Sequence, residues 1–244
     1  MKILDLELHT SNLDATRLFY VRRLGLPLLA HSATQLTVLI GYTRLTFRQV
    51  EGPVAPYHLA INVPRGSLDV LMYYYDLDYL PTQAPGKTIA YFPEWRAKAC
   101  YFYDTTGNLL EFIARADLSL DDPNLTLPEM FQGVSEIGLT TQNVTHTTEL
   151  IRRQFKVNQF DKTTPKADFN ALGDDNGLFI LAEVGRCWLF SDTAAGLNHV
   201  RVQFIHGEGG AIHELYSYEV NRLPIGSLIA RSPKNVSHRK EALA

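Results

Sequence analysis

Apolar and polar side chains alternate from the start of the chain. In residues 3–9, Leu4, Leu6 and Leu8 face one way while Asp5, Glu7 and His9 face the other, the period of a half-buried strand. Ser11-Asn12 then supplies a helix cap, and LDATRLFYVRRLG carries Ala15, Leu18, Phe19 and Leu24 at near-helical spacing until Gly25 stops it. Strand-like runs come next at about 28–33, 36–40 and 43–49. The order restarts after Glu51-Gly52-Pro53. PYHLAINV places His58, Ala60 and Asn62 on one face. Ser67 caps a helix with Leu68, Leu71, Met72 and Tyr75 at i, i+3, i+4 and i+7, and strands are predicted near 88–92, 98–104 and 108–115. Two strand-helix-strand-strand-strand units thus fill the first 115 residues. Each is too small to cover its own sheet face, so pairing of units is the physical expectation.

The pattern predicts four segments: a module over 1–116, a linker over 117–131 rich in Asp, Pro and Asn, a second module over 132–226, and a polar extension over 227–244. VSEIGLTTQNVTHTTELIRRQFKV can be laid on LDLELHTSNLDATRLFYVRRLGL with Asn143 over Asn12, a weak internal repeat. Further strands are predicted at about 168–173, 178–184, 186–190, 199–205 and 213–220. Only the Gly-rich HGEGGA separates the last two, too short for a helix, so the fourth unit reads as truncated and the second module as degenerate.

Composition changes this picture little. A net charge of −3 and a pI near 6.2, with no basic stripe, exclude an electrostatic nucleic-acid binder. No apolar run approaches the roughly 20 residues that span a bilayer, so no membrane partner is expected. The two cysteines, Cys100 and Cys187, form no disulfide framework and fit a reducing, cytoplasmic setting.

The candidate chemistry lies in YFYDTTGNLLE, residues 101–111. A buried strand does not carry a carboxylate without a partner, because an unpaired charge in apolar surroundings is costly. Glu111 therefore needs one, and His9 and His58, on the polar faces of two other strands, are the candidates. Two histidines and one carboxylate can occupy one face of a six-coordinate metal. The alternative is three ordinary polar residues at strand ends.

The two units, the wording FYVRRLGL (19–26) and above all FYDTTGNLLEF (102–112) resemble the vicinal oxygen chelate superfamily, which contains glyoxalase I, bleomycin-resistance proteins and type I extradiol ring-cleavage dioxygenases. The resemblance implies an α+β fold in which paired βαβββ units form an open, cup-shaped mixed sheet with helices outside. It implies His9, His58 and Glu111 as metal ligands. No acid stands in TRLTFRQ (43–49), where glyoxalase I enzymes take a further carboxylate, so the resemblance favours the dioxygenases. Tyr101, Asp104, Gly107 and Glu111 match the dioxygenase signature in order and spacing, which makes Tyr101 the catalytic-site tyrosine facing substrate. Thr105, Cys100 and the absence of a histidine just upstream depart from that signature.

The function so implied is opening of a catechol-like ring with O₂ at a metal site, with Fe²⁺ or Mn²⁺ favoured. The alternatives are a glyoxalase-type lyase or isomerase with Zn²⁺ or Ni²⁺, or a metal-free protein that binds a small molecule. Asn62 and Tyr103 are expected to line the substrate pocket. The expected partner is a small aromatic or vicinal-oxygen-bearing molecule, with a homodimer open as a way to close the cup.

Overall fold

The computed structural model describes residues 1–118, 125–207 and 210–222. The proposed extension over 227–244 and residues 119–124 of the linker lie outside them. The first unit runs β1 (Lys2–Thr10), α1 (Leu13–Arg17) continuing as a π-helical turn (Leu18–Arg23), β2 (Leu28–His31), β3 (Gln35–Ile40) and β4 (Thr43–Gln49). The second runs β5 (His58–Asn62), α2 (Leu68–Tyr75), β6 (Ile89–Phe92), β7 (Ala97–Tyr103) and β8 (Leu109–Arg115). A 3₁₀ turn (Leu127–Met130) leads to β9 (Gly133–Thr141), α3 (Val144–Phe155), β10 (Phe169–Asp174) and β11 (Gly177–Glu183), then β12 (Val200–Ile205), β13 (Ile212–Tyr216) and α4 (Ser217–Arg222).

The internal repeat is visible as chemistry. Asn12 Oδ1 accepts from the Ala15 N–H at 3.0 Å, and Asn143 Oδ1 from the His146 N–H at 2.9 Å. Two residues before each cap, a threonine pairs with a threonine in the helix: Thr10 with Thr16 at 2.9 Å, Thr141 with Thr147 at 2.7 Å. The same capped turn, which satisfies donors at the helix start, was thus built twice.

Pairing of the units is not sequential. One sheet has the order β13-β12-β1-β4-β3-β2, the other β10-β11-β9-β5-β8-β7-β6. The first unit therefore takes the C-terminal hairpin as its neighbour, and the second unit takes the third. The two sheets are mixed and one of them curls into a half-barrel, the cup-shaped α+β architecture expected. Apolar faces of both sheets and the helices share one core that includes Leu6, Phe47, Ile61, Phe112, Leu139 and Phe204. Thr43 ties the sheets together: its hydroxyl donates to the Ile3 carbonyl (2.7 Å) and accepts from the Val134 N–H (3.0 Å).

Two predicted strands differ. Residues 186–190 form an irregular loop, tied to residues 193–195 by the bridge between Cys187 and Ala194 and by the Trp188 N–H donating to the Thr193 carbonyl (2.9 Å), because Gly185 and Phe190 adopt positive φ and turn the chain. The strand predicted at 213–220 ends at Tyr216. Ser217 there turns inward, donating to the Asn198 carbonyl and accepting from the Val200 N–H, and the chain enters α4.

Candidate metal centre

Strand register assembles the site. Tyr101 on β7 lies opposite Glu111 on β8, Glu111 beside Ala60 on β5, and Ala60 opposite Glu136 on β9. All four belong to one row across the seven-stranded sheet, since side chains directly paired in a sheet share a face. Ala60, with no side chain beyond Cβ, leaves the space between the two carboxylates open. His58 stands two residues back along β5, on the same face. Its Nε2 lies 3.6 Å from Glu111 and 3.9 Å from Glu136. His58, Glu111 and Glu136 are 6%, 2% and 3% exposed, so bulk water does not solvate these acids.

The Leu109 carbonyl lies 3.3 Å from His58 Nδ1, a contact that holds the proton there and leaves the Nε2 lone pair facing the acids. Burial, and then the charge of Glu136, push the Glu111 carboxyl well above the ordinary carboxylate range. Arg115 and the hydroxyl of Tyr101, which donates to Glu111, act in the opposite direction. Burial and the Glu111 charge raise the Tyr101 phenol, so it stays a donor. Arg115, fully buried at the end of β8, donates to Glu136 through Nη2 and to Ser135 through Nε (3.2 Å). Its Nη1 faces Asp175 at 3.5 Å, and Asp175 in turn is held by Lys162 at 2.6 Å.

This set fits a divalent ion. One imidazole nitrogen and two carboxylates present ligand atoms within 4.8 Å of one another, and two buried acids with one arginine leave negative charge that a cation would balance. The donors sit at the inner end of a cavity of about 240 Å³. Its walls are aromatic: Phe92, Trp95 and Phe169 with Trp188, whose ring lies 5.1 Å from that of His58. Trp188 fits because position 138 is glycine; a Cβ there would meet the Trp188 ring at 2.7 Å.

The structure brings together His58, Glu111 and Tyr101 of the expected residues, and puts His9 elsewhere. His9 lies on β1 in the six-stranded sheet, its ring stacked on that of His199 at 4.2 Å, with Glu7 3.6 Å from His199. The reason is the pairing: β1 and β5 belong to different sheets, so the structure gathers His58 and Glu111 with Glu136 and leaves His9 in the other sheet. The repeat aligns Glu136 with Asp5, and around Asp5 the six-stranded sheet is cross-linked by Arg44 and Arg201, which fill that face with ion pairs. Asn62 donates to the Asp175 carbonyl (3.3 Å) and Tyr103 pairs with Thr193 (2.9 Å); neither lines the cavity.

Glu136 carried the same sequence signal as Glu111, a lone acid in an apolar strand (VSEIGLTT). What the sequence lacked was any mark that β9 is the neighbour of β5. Arg115, at the end of YFYDTTGNLLEFIAR, gave no signal beyond a charge at a strand end.

No protein-family model matches the sequence, and no curated protein matches it. Structures similar to this one are proteins of the glyoxalase/bleomycin resistance/dioxygenase superfamily. A "putative dioxygenase" from Bacillus subtilis is 17% identical, with a TM-score of 0.55 over 75% of this chain and 63% of that one. This chain therefore spans less than two thirds of that protein, and the likeness is one of fold. A lactoylglutathione lyase from Agrobacterium tumefaciens (16% identical, TM-score 0.37) covers 46% of this chain and 92% of its own. A glyoxalase/bleomycin resistance protein/dioxygenase from Alicyclobacillus acidocaldarius (20% identical, TM-score 0.36) covers 48% and 92%. No helix among the described residues is long and apolar enough to cross a membrane.

Proposed function

We propose that the chain belongs to the vicinal oxygen chelate superfamily and is a metal-dependent oxidoreductase that opens a small catechol-like ring with O₂. The observation that carries the reading is the convergence of His58, Glu111 and Glu136 at the closed end of an aromatic cavity. His58 Nε2 and one oxygen of each carboxylate would hold the ion, and an oxygen-rich set of this kind suits Fe²⁺ or Mn²⁺. When bound, such an ion acidifies a coordinated hydroxyl and holds two reactants side by side.

The chain's own residues supply the rest. Tyr101 keeps its proton on the phenol oxygen and donates it toward Glu111, fixing which carboxylate oxygen faces the ligand. Arg115 does the same for Glu136. The aromatic walls stack on a flat ring and exclude water, which strengthens every charge interaction at the inner end.

A second reading has an observation of its own. The second carboxylate, Glu136, gives the site a histidine and two acids, an oxygen-rich set that also suits a glyoxalase-type lyase or isomerase using Zn²⁺ or Ni²⁺.

Metal-free protein is reconstituted anaerobically with Fe²⁺, Mn²⁺, Zn²⁺ or Ni²⁺. Wild type and His9→Ala should bind one equivalent, while Glu111→Gln and Glu136→Gln should lose at least about tenfold in affinity. O₂ uptake with a panel of catechols supports the first reading, and hemithioacetal turnover without O₂ uptake supports the second. Failure to take up any of the four ions, or equal loss in His9→Ala, overturns the metal site and leaves a small-molecule binder.

A further inference from the structure

The acids at the inner end of the cavity are matched by cations at its outer end. Lys166 and Arg186 both line it, on the turn before β10 and the loop after β11. The Lys166 N–H donates to the Phe169 carbonyl at 2.8 Å, which folds the turn tightly onto the rim. Arg186 is already engaged: Nε lies 3.1 Å from Asp168, and its guanidinium lies over the Phe169 ring at 4.8 Å. Lys166 has no carboxylate within ion-pair distance among the described residues. The rim therefore carries two cations, one acid and one unbalanced positive charge.

Register gives the spacing. Glu136 pairs with Leu178 and Phe169 with Ala182, so the acids and the rim are four residues apart along β11, about 13 Å at the usual strand rise. Lys166 lines the cavity from the turn that leads into Phe169, and a gap of that size fits one ring and a short arm. The walls between are Phe169, Trp188 and Leu189, which favour a flat apolar body.

We infer that the ligand of this cavity is a single aromatic ring with a short arm ending in a carboxylate, the arm pointing outward to Lys166. The inference rests on the proposed site for which end enters first, but the arm preference can be measured without a metal. The lysine selects by charge: a carboxylate gains an ion pair at the rim, and the isosteric amide does not.

Trp95 and Trp188, the two tryptophans of the chain, both line the cavity, so intrinsic fluorescence reports occupancy directly. Metal-loaded protein is titrated with 3-(3,4-dihydroxyphenyl)propionate and its primary amide. Metal-free protein is titrated with 3-phenylpropionate and its amide, which lack the vicinal oxygens. The acid should bind about three- to tenfold tighter than the amide in both forms, with the preference shrinking as salt rises. In Lys166→Ala the two should agree within about twofold, and Lys166→Glu should reverse the order. Equal affinities in wild type, a preference that survives in Lys166→Glu, or no binding of any of the four compounds overturns the inference. A preference for the acids with no effect of metal on the catechol pair supports the arm assignment while removing the metal reading.

Discussion

Arg115→Met is the most informative single change at the centre. Arg115 has no side-chain exposure, and it faces Glu136, Ser135 and Asp175 while lying under the rings of Trp95 (5.5 Å) and Phe160 (5.9 Å). Methionine retains the apolar stem but not the guanidinium that lies over those rings, so the substitution removes the charge and its cation–π contacts while keeping the packing of the stem. Asp175 keeps Lys162 at 2.6 Å and is not orphaned. Glu136 is, with 4% of its side chain exposed. Removing one partner of a buried ion pair costs about 3–5 kcal/mol, a large fraction of a typical total stability of about 5–15 kcal/mol. Urea unfolding in EDTA at pH 7.5 should show a loss of that size. The loss should shrink in excess Mn²⁺, because a cation beside His58 gives Glu136 a new partner and stabilises the native state by mass action. A loss below about 1 kcal/mol at pH 7.5, or one independent of metal, would refute the assignment of Arg115 as the counter-charge of a buried acid.

The geometry sets three further outcomes. Gly138→Ala sets a Cβ 2.7 Å from the Trp188 ring and 3.2 Å from His58 Cβ; it should cost about 1–3 kcal/mol by overpacking and red-shift the Trp188 emission, and an unshifted spectrum would contradict the close approach. Thr43→Val removes the hydroxyl shared by the Ile3 carbonyl and the Val134 N–H; urea unfolding should register about 1–3 kcal/mol, and a neutral change would mean the two sheets are not joined there. His9 is held below its ordinary value of 6.5 chiefly by burial and then by His199, and His199 by burial, with Glu7 opposing in both cases. Their native states then bind fewer protons than the unfolded chain, so the contribution is present above pH 6.5 and lost as pH falls from there through the lowered native values. His9→Gln should make unfolding less sensitive to acid below pH 6.5; an unchanged pH profile would count against the stacked pair.

Local order was legible in the residues themselves. Alternation marked β1 through Leu6 and Leu8, because a strand with one buried face must repeat every second residue; β5 and β8 are buried on both faces, and there the pattern marked only which side chains share a face. Asn12 and Asn143 marked two helix starts, because an exposed N–H needs an acceptor within three residues. Burial cost alone singled out Glu111, and face parity placed His58 beside Ala60 on the face that points into the cup. None of this says which strand edges meet. Backbone N–H and C=O groups along an edge are the same for every sequence, so nothing local assigned β5 to β9 rather than β1. That choice, made by the packing of all four units around one core, moved His9 to the other sheet and brought Glu136 to within 3.9 Å of His58. The residues determined that a buried acid needed a partner; the meeting of distant edges decided which one it received.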